Sequence, residues 1–203
     1  MRNRKIFYKY RGLEPWEFLL DIFISNRLYA ASFKSLNDPM EGVFTYSQDK
    51  IHPSFIEQMK MHKSQLRICS LSNTHNNTVM WSYYAAGHEG LVIGFEIDNS
   101  NNTVEINKVT YAKNNTFRGF LGSDAETEAK KVLIKKLSAW KHEQEIRVFS
   151  KSEFVYIKIK NVYLGCQMLI EKKNLIRNLL VRLDPNIKIY EMQRSDLDSN
   201  IDE

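Results

Sequence analysis

The sequence predicts an α+β fold, with a mixed or mostly antiparallel central sheet and flanking helices. Three observations carry this. Runs with strand chemistry outnumber helical patterns. They do not alternate regularly with helices, as a doubly wound parallel sheet requires. And 203 residues, 43% of them hydrophobic and 26% charged, suit one compact domain rather than a disordered chain. We expect that domain to span residues 1–194, followed by a disordered acidic tail over 195–203.

Each element has a local reason. Phe7 to Tyr10 reads as a short strand. Glu14-Pro15 opens a helix, and Trp16, Leu19, Leu20 and Phe23 follow at i, i+3, i+4 and i+7. Leu28 to Ala31 reads as a second strand, and Ser35-Leu36-Asn37-Asp38-Pro39 as turn chemistry. Residues 53 to 63 form a short helix, and Leu66 to Leu71 a strand. Ser72 to Asn77 is a polar loop, and Val79 to Ala86 one or two helical turns. Gly90 to Ile97 and Val104 to Tyr111 are strands, and Asn114 to Leu121 a loop. Ser123-Asp124-Ala125-Glu126 has capping-box spacing before an amphipathic helix marked by Ala125, Ala129, Val132, Leu133 and Leu137. Glu145 to Phe149, Val155 to Ile159 and Val162 to Leu164 are strands. Leu175 to Leu183 marks a last helix, stopped by Pro185, and Ile187 to Met192 a last strand.

Composition narrows the function. The chain carries 29 lysines and arginines against 24 acids, a net +5. Asp196, Asp198, Asp202 and Glu203 lie in the tail, so elsewhere 29 bases face 20 acids, a net of +9. A basic body suits an anionic partner, nucleic acid above all, although a solvated basic surface gives the same count. No apolar run is long enough for a bilayer, and Ile6 to Tyr10 is too short and polar for a signal segment. The expected location is the cytoplasm, with no membrane partner. The two cysteines, Cys69 and Cys166, exclude a disulfide scaffold and a four-cysteine zinc site, and both are expected to be buried thiols. The five histidines show no metal spacing, so no metal is expected. Glycine-rich phosphate loops, a nucleophile elbow and a zinc-deaminase signature are all missing. Oligomeric state is not readable.

The sharpest segment is Trp140-Lys141-His142-Glu143-Gln144-Glu145-Ile146-Arg147-Val148. On a strand, Ile146 and Val148 would face a core while Glu143, Glu145 and Arg147 share the other face. Burying such a triad unpartnered is costly, so that face is expected to be an open surface or a cleft. Two carboxylates beside an arginine can hold a ribose hydroxyl and stabilise a developing cation; a surface salt-bridge ladder would look the same. Arg11 ends the first strand beside Gly12, where a guanidinium can fork onto a phosphate. Ser70 and Ser72 could orient a ligand's ribose or simply satisfy backbone groups. Trp81 and Tyr84, in Met80-Trp81-Ser82-Tyr83-Tyr84, could stack a ring or pack a core. His88 sits in Gly87-His88-Glu89-Gly90, a tight turn, as a proton shuttle or a structural residue.

Together the segments resemble a known family, the bacterial domain-of-unknown-function 2971 proteins (DUF2971). The matching pieces are Tyr8-Lys9-Tyr10-Arg11, Leu28-Tyr29-Ala30-Ala31-Ser32, Asn37-Asp38-Pro39 with Glu41, and Cys69-Ser70-Leu71-Ser72. They continue with Met80-Trp81-Ser82-Tyr83-Tyr84-Ala85, His88, Gly90, Gly94-Phe95, Lys136, Trp140, Glu143-x-Glu145-x-Arg147 and Tyr163-Leu164-Gly165. Tyr83 stands where the family often has histidine. The layout also resembles the ADP-ribosyltransferase fold, by analogy. That resemblance implies NAD as a substrate, with Arg11 on its pyrophosphate and Ser70 or Ser72 on the nicotinamide-side ribose. It implies Glu145 as the stabiliser of the oxocarbenium-like sugar and Glu143 as the group that activates the acceptor. Asn37, Asp38, His88, Trp81, Tyr84 and Arg147 would complete the substrate-binding set.

The first expectation is an enzyme acting at an N-glycosidic bond, as a bacterial toxin or anti-phage defence protein. One form transfers ADP-ribose from NAD to DNA or RNA. The other is a DNA glycosylase that uses no NAD and holds an extruded base. The other expectations are a non-catalytic nucleic-acid-binding module, and a metal-dependent nuclease built on Asp38 and the two glutamates.

Overall fold

The computed structural model describes residues 5–38, 40–45, 51–99, 103–114 and 124–193. Pro39, the expected loop from residue 115 to 121, the expected cap at Ser123 and the acidic tail lie outside the described residues. The fold is mixed α+β, built on a large, mostly antiparallel sheet. Its main path runs, in spatial order, through β11 (Lys188–Glu191), β10 (Phe154–Leu164), β5 (Leu91–Ile97), β1 (Phe7–Arg11), β4 (Arg67–Ser72), β9 (Glu145–Ser150) and β6 (Val104–Lys108). Only β10 and β11 pair in parallel within it.

Two short strands turn this path into a ring. β2 (Arg27–Tyr29) pairs with β10, and β3 (Ala31–Ser32), one residue later, pairs with β4. The segment Arg27–Ser32 is thus a strap from β10 to β4, closing the circuit β4–β1–β5–β10–strap. Within that circuit the β1–β4 seam is nearly open, because its register holds a single pair, Tyr8 with Ser72. β3 takes over the same edge of β4 at Ile68 and Arg67. Cys69, Ser70 and Leu71 lie between and have no register partner on that edge. The Ser70 carbonyl, left without a strand, accepts from the Lys9 ammonium at 2.7 Å.

Strand alternation then sorts the side chains. Phe7, Cys69, Leu71, Ile93, Phe95, Ile146, Val148, Val155 and Ile157 share one core with Leu19, Ile22 and Phe23 of α1 (Trp16–Ser25) and Ile176 and Leu180 of α5 (Ile170–Leu183). On the other face, Tyr10 and Val92 pack under Met80 and Trp81 of α3 (Thr78–Tyr84). A further apolar cluster joins α2 (Pro53–Gln65) to α4 (Ala125–Leu133). Among the described helices, none is long and apolar enough to cross a membrane.

Several sequence expectations change. The strand expected over Leu28–Ala31 is broken at Ala30, whose N–H donates to the Glu153 carbonyl, and this break lets the strap change partners. The strand expected over Val104–Tyr111 splits. Val109 is buried, and β7 (Thr110–Ala112) leaves the sheet to pair in parallel with β8 (Lys135–Leu137). The helix expected to reach Leu137 ends at Leu133, so Leu137 belongs to a strand, and apolar spacing did not reveal the switch of period. Asp124 caps that helix, accepting from Thr127 N–H at 2.8 Å. The two strands expected over Val155–Leu164 are one, carrying a bulge between Ile159 and Asn161. Cys69 is buried as expected, but Cys166 is only partly so.

The turn before β5 requires close backbone approach. A Cβ on Gly90 would sit 2.2 Å from the Arg11 carbonyl oxygen and 2.8 Å from that of Ala85, both backbone atoms that cannot swing away. Gly87 has φ +62 but open space around its missing Cβ. Gly90→Ala is therefore expected to cost about 2 kcal/mol or more, in the overpacking range. Gly87→Ala should cost only about 1 kcal/mol, for its left-handed backbone. Urea midpoints of the two variants check the ordering.

Candidate active site

The seam between β1 and β4 opens into a cavity of about 740 Å³. That size suits a cofactor-sized ligand. Lys9, Tyr10 and Arg11 line it from β1, Ser70, Leu71 and Ser72 from β4, and Asn37 and Glu41 from the turn after the strap. Tyr84 of α3, Lys136 of β8, and Glu143 and Glu145 complete the wall. Arg11, Ser70, Ser72, Asn37, Tyr84, Glu143 and Glu145, all singled out from sequence, thus come together.

The strand expected from Glu145 forms there, but the strand alternation expected to include Glu143 does not reach it. Ser138–Glu143 is a 3-10 helix, and Gln144 follows in the left-handed region at φ 46. This kink, not strand alternation, aims Glu143 and Glu145 into the same cavity. Glu145 and Arg147 do share a face of β9; of the open surface or cleft expected for that face, Glu145 lines a cleft, while Arg147 lies behind its wall. Glu143, Glu145 and Arg147 are all buried, Arg147 completely. Two residues with no assigned role make that burial affordable, namely Glu41 and Lys136.

Together they form a buried five-member ionic cluster. Arg147 grips Glu145 with two parallel bonds, Nε to Oε1 at 2.8 Å and Nη2 to Oε2 at 3.1 Å. Its Nη2 also reaches Glu41, and its Nη1 donates to the Leu133 carbonyl. The Lys136 ammonium meets all three carboxylates, with Glu41 Oε1 at 3.0 Å, Glu145 Oε2 at 3.2 Å and Glu143 Oε2 in the shortest contact. Lys136 therefore fills the point where the three acids converge. Three carboxylates against two cations leave one negative charge in excess.

The hydrogen-bond inventory separates the two glutamates. Glu145 receives two bonds from Arg147 and one from Lys136, with Ser70 alongside, close to the capacity of a carboxylate. Glu143 accepts from the Tyr84 phenol at 2.6 Å and from Lys136, which leaves lone pairs towards the cavity. Tyr84 is held by burial, first, and by the adjacent Glu143 carboxylate well above the usual phenol range, so it stays protonated as a donor. Asn37 stands at the same phenol. Tyr111 accepts the Glu145 backbone N–H at 2.8 Å, and Ser72 Oγ donates to the Glu143 carbonyl at 2.9 Å. Ser72 is thus committed to the backbone, whereas Ser70 faces the carboxylate. Arg11 is half-buried, its Nε has no hydrogen-bond partner, and burial lowers its pKa.

Four expected site residues fall outside the cavity wall: Arg147, which is fully buried behind it and paired with Glu145 and Glu41, and three more. Trp81 is fully buried, its Nε1 donates to the His75 carbonyl at 2.8 Å, and its ring meets Tyr10 edge-on at 5.7 Å, so it cannot stack a ligand. It pins α3 instead, with Asn77, which caps α3 and donates to the His142 carbonyl at 2.9 Å. Asp38 accepts from Met40 N–H at 2.8 Å within its own turn. His88 adopts φ +70, lies parallel to Trp81 and contacts Ser82 Oγ at 3.2 Å, as a turn residue would. Sequence reasoning gave Glu41 and Lys136 no role beside the E-x-E-x-R run, because Glu41 lies 106 residues from Arg147 and Lys136, seven residues from Glu143, fell within the helix expected to reach Leu137. The available signal was the uncompensated charge of that run itself, which demanded a cation.

The cluster yields two predictions. Arg147→Met strands Glu41 and Glu145 in the interior and should cost about 3–5 kcal/mol. Gln144→Gly should be neutral or stabilising, whereas Gln144→Val should cost about 1–2 kcal/mol in the left-handed region; thermal denaturation distinguishes them.

The pH dependence follows as well. Burial pushes the Glu145 carboxyl up, but Arg147 and Lys136 outweigh it and hold the group below the usual glutamate range. Such a group stabilises the fold above its unfolded pKa of about 4.3, and that contribution is lost as pH falls through the folded value. Burial raises Glu41 despite Arg147 and Lys136, so its contribution has the opposite sign and blunts this acid limb. Urea midpoints should fall on acidification below about pH 4.3. Glu145→Gln should show a flatter limb.

Residues 80–148 match the model of a family described as Protein of unknown function (DUF2971). No curated protein and no solved structure matches the chain. The matched stretch contributes Tyr84, Lys136, Glu143, Glu145 and Arg147 to the cluster and cavity just described, and over it the chain is similar to DUF2971 proteins.

Proposed function

We propose that this protein is an enzyme acting at an N-glycosidic bond, in a bacterial toxin or anti-phage role, and that it transfers the ADP-ribosyl group of NAD to nucleic acid. The observation that carries the reading is the meeting of Arg11 with a half-satisfied Glu143 in one cavity. A half-buried guanidinium with an unpartnered Nε suits a pyrophosphate. A carboxylate in electronegative excess, with free lone pairs, suits a sugar carbon that becomes cationic.

In this reading the bond between nicotinamide and the ribose C1′ breaks, and nicotinamide leaves with the bonding pair as a neutral base. Glu143 stabilises the oxocarbenium-like ribose. An acceptor oxygen or nitrogen then bonds to C1′ and gives its proton to Glu143. The hydrogen-bond inventory favours Glu143 over Glu145 as the group in contact with the sugar, the reverse of the emphasis that the resemblance suggests. Glu145 becomes the residue that, with Arg147 and Lys136, fixes the site's shape. Ser70 is the serine placed to reach the ribose.

The test is incubation with NAD alone, with DNA or RNA alone, and with both. Nicotinamide release that requires NAD and is raised by nucleic acid is the expected result. Abasic sites formed without NAD would favour base excision instead. Glu143→Gln is expected to lower the rate by at least about 10²-fold with the fold retained. Unchanged biological effect in that variant would leave a binding module.

A further inference from the structure

The mouth of the cavity carries a second feature. Where β2 pairs with β10, Tyr29 lies opposite Phe154 and Arg27 opposite Tyr156. Opposed residues share a face, as do residues two apart, so all four stand on one side of the ladder. The core side is filled by Leu28 and Val155. Tyr29 meets Phe154 edge-on at 6.0 Å, and the Arg27 guanidinium lies over the Phe154 ring at 3.8 Å. Tyr29 and Tyr156 are 57% and 56% exposed, an unusual density of open aromatic surface on one short ladder. Lys158 continues the same face of β10, and Arg67 of β4 reaches the Tyr29 hydroxyl at 3.4 Å from the other end. Three of these residues, Arg27, Tyr29 and Phe154, also line the cavity.

We propose that this ledge binds an unpaired nucleic-acid strand by stacking its bases on Tyr29 and Tyr156 and leads it to the cavity mouth. Stacked aromatics interleaved with bases are how sequence-tolerant single-strand binders work, and the chain's basic balance suits that partner. The charges define the mode further. Arg27 is held by Asp21 through Nε and Nη2, and Arg67 by Glu153 at 2.9 Å. Both guanidiniums are therefore ion-paired, Arg27 with its plane over Phe154, and phosphate contact is left mainly to Lys158, which itself feels Asp184. The ledge binds by rings, and its binding is weakly salt-dependent. That the bound strand is the acceptor at the cavity rests on the proposed activity; its binding to the ledge does not.

The experiment uses the full chain and fluorescence anisotropy with a short labelled oligothymidine and a duplex of the same length, without NAD. The single strand is expected to bind at least about tenfold tighter than the duplex. Tyr29→Ala and Tyr156→Ala should each weaken it about tenfold, while Tyr29→Phe and Tyr156→Phe retain it. A logarithmic salt slope shallower than about −1.5, or two phosphates, is expected. Equal duplex binding, a steep slope, or indifference to the alanine variants overturns the proposal, as does self-association abolished by those variants, which would make the ledge a contact between copies. Nicotinamide release is measured separately. Oligonucleotide binding without release leaves the ledge standing and the enzymatic reading lost, and release without binding does the reverse.

Discussion

The molecule depends on one buried balance of charge. Lys136 and Arg147 hold Glu41, Glu143 and Glu145 away from water, and neither the cations nor the carboxylates are tolerable there alone. They come from the turn after the strap, from β8, from the 3-10 helix and from β9. The cluster therefore draws separate chain segments together. It does so at the end of the cavity, so the site's shape and part of the fold's stability share the same bonds.

The second constraint is the absence of a ladder. β1 and β4 are neighbours in the sheet order but share one register pair. Their separation lets polar side chains from both faces of the sheet reach a common space. It is held apart without loss of closure because the strap ties β4 to β10 on the far side. Lys9 compensates the exposed Ser70 carbonyl across the gap. A cleft made in this way has rigid walls on strands, which suits a site where small displacements matter.

Much of this was legible in the sequence, and the failures have identifiable causes. The α+β class, the apolar stripe of α1 and the strands around Phe7, Leu71 and Ile93 follow from periodicity, which reports burial. The grouping of Arg11, Ser70, Tyr84, Glu143 and Glu145 was likewise readable as a set, because all but Ser70, which sits inside β4, lie at element ends where chemistry is easily placed. The E-x-E-x-R run misled in one respect. Alternation predicts one shared face, open or in a cleft, but Gln144 in the left-handed region replaces alternation, and burial is made possible by Lys136 and by Glu41, which is distant in sequence. Trp81 misled for a related reason. A tryptophan among tyrosines reads equally as platform or pin, and only the contact with Tyr10 and the bond to the His75 carbonyl decide it.

The strap has a consequence for how such proteins diversify. It crosses from one wall to the other in six residues, with Ala30 alone lying between its two strands. Its length sets the width of the entrance, while the ionic assembly lies on other segments. Ala30 is buried, but Arg27 and Tyr29 of the strap face the entrance, so changes at those two positions would reshape the aperture and leave the reacting groups untouched, and substrate range and chemistry can evolve on separate stretches of the chain.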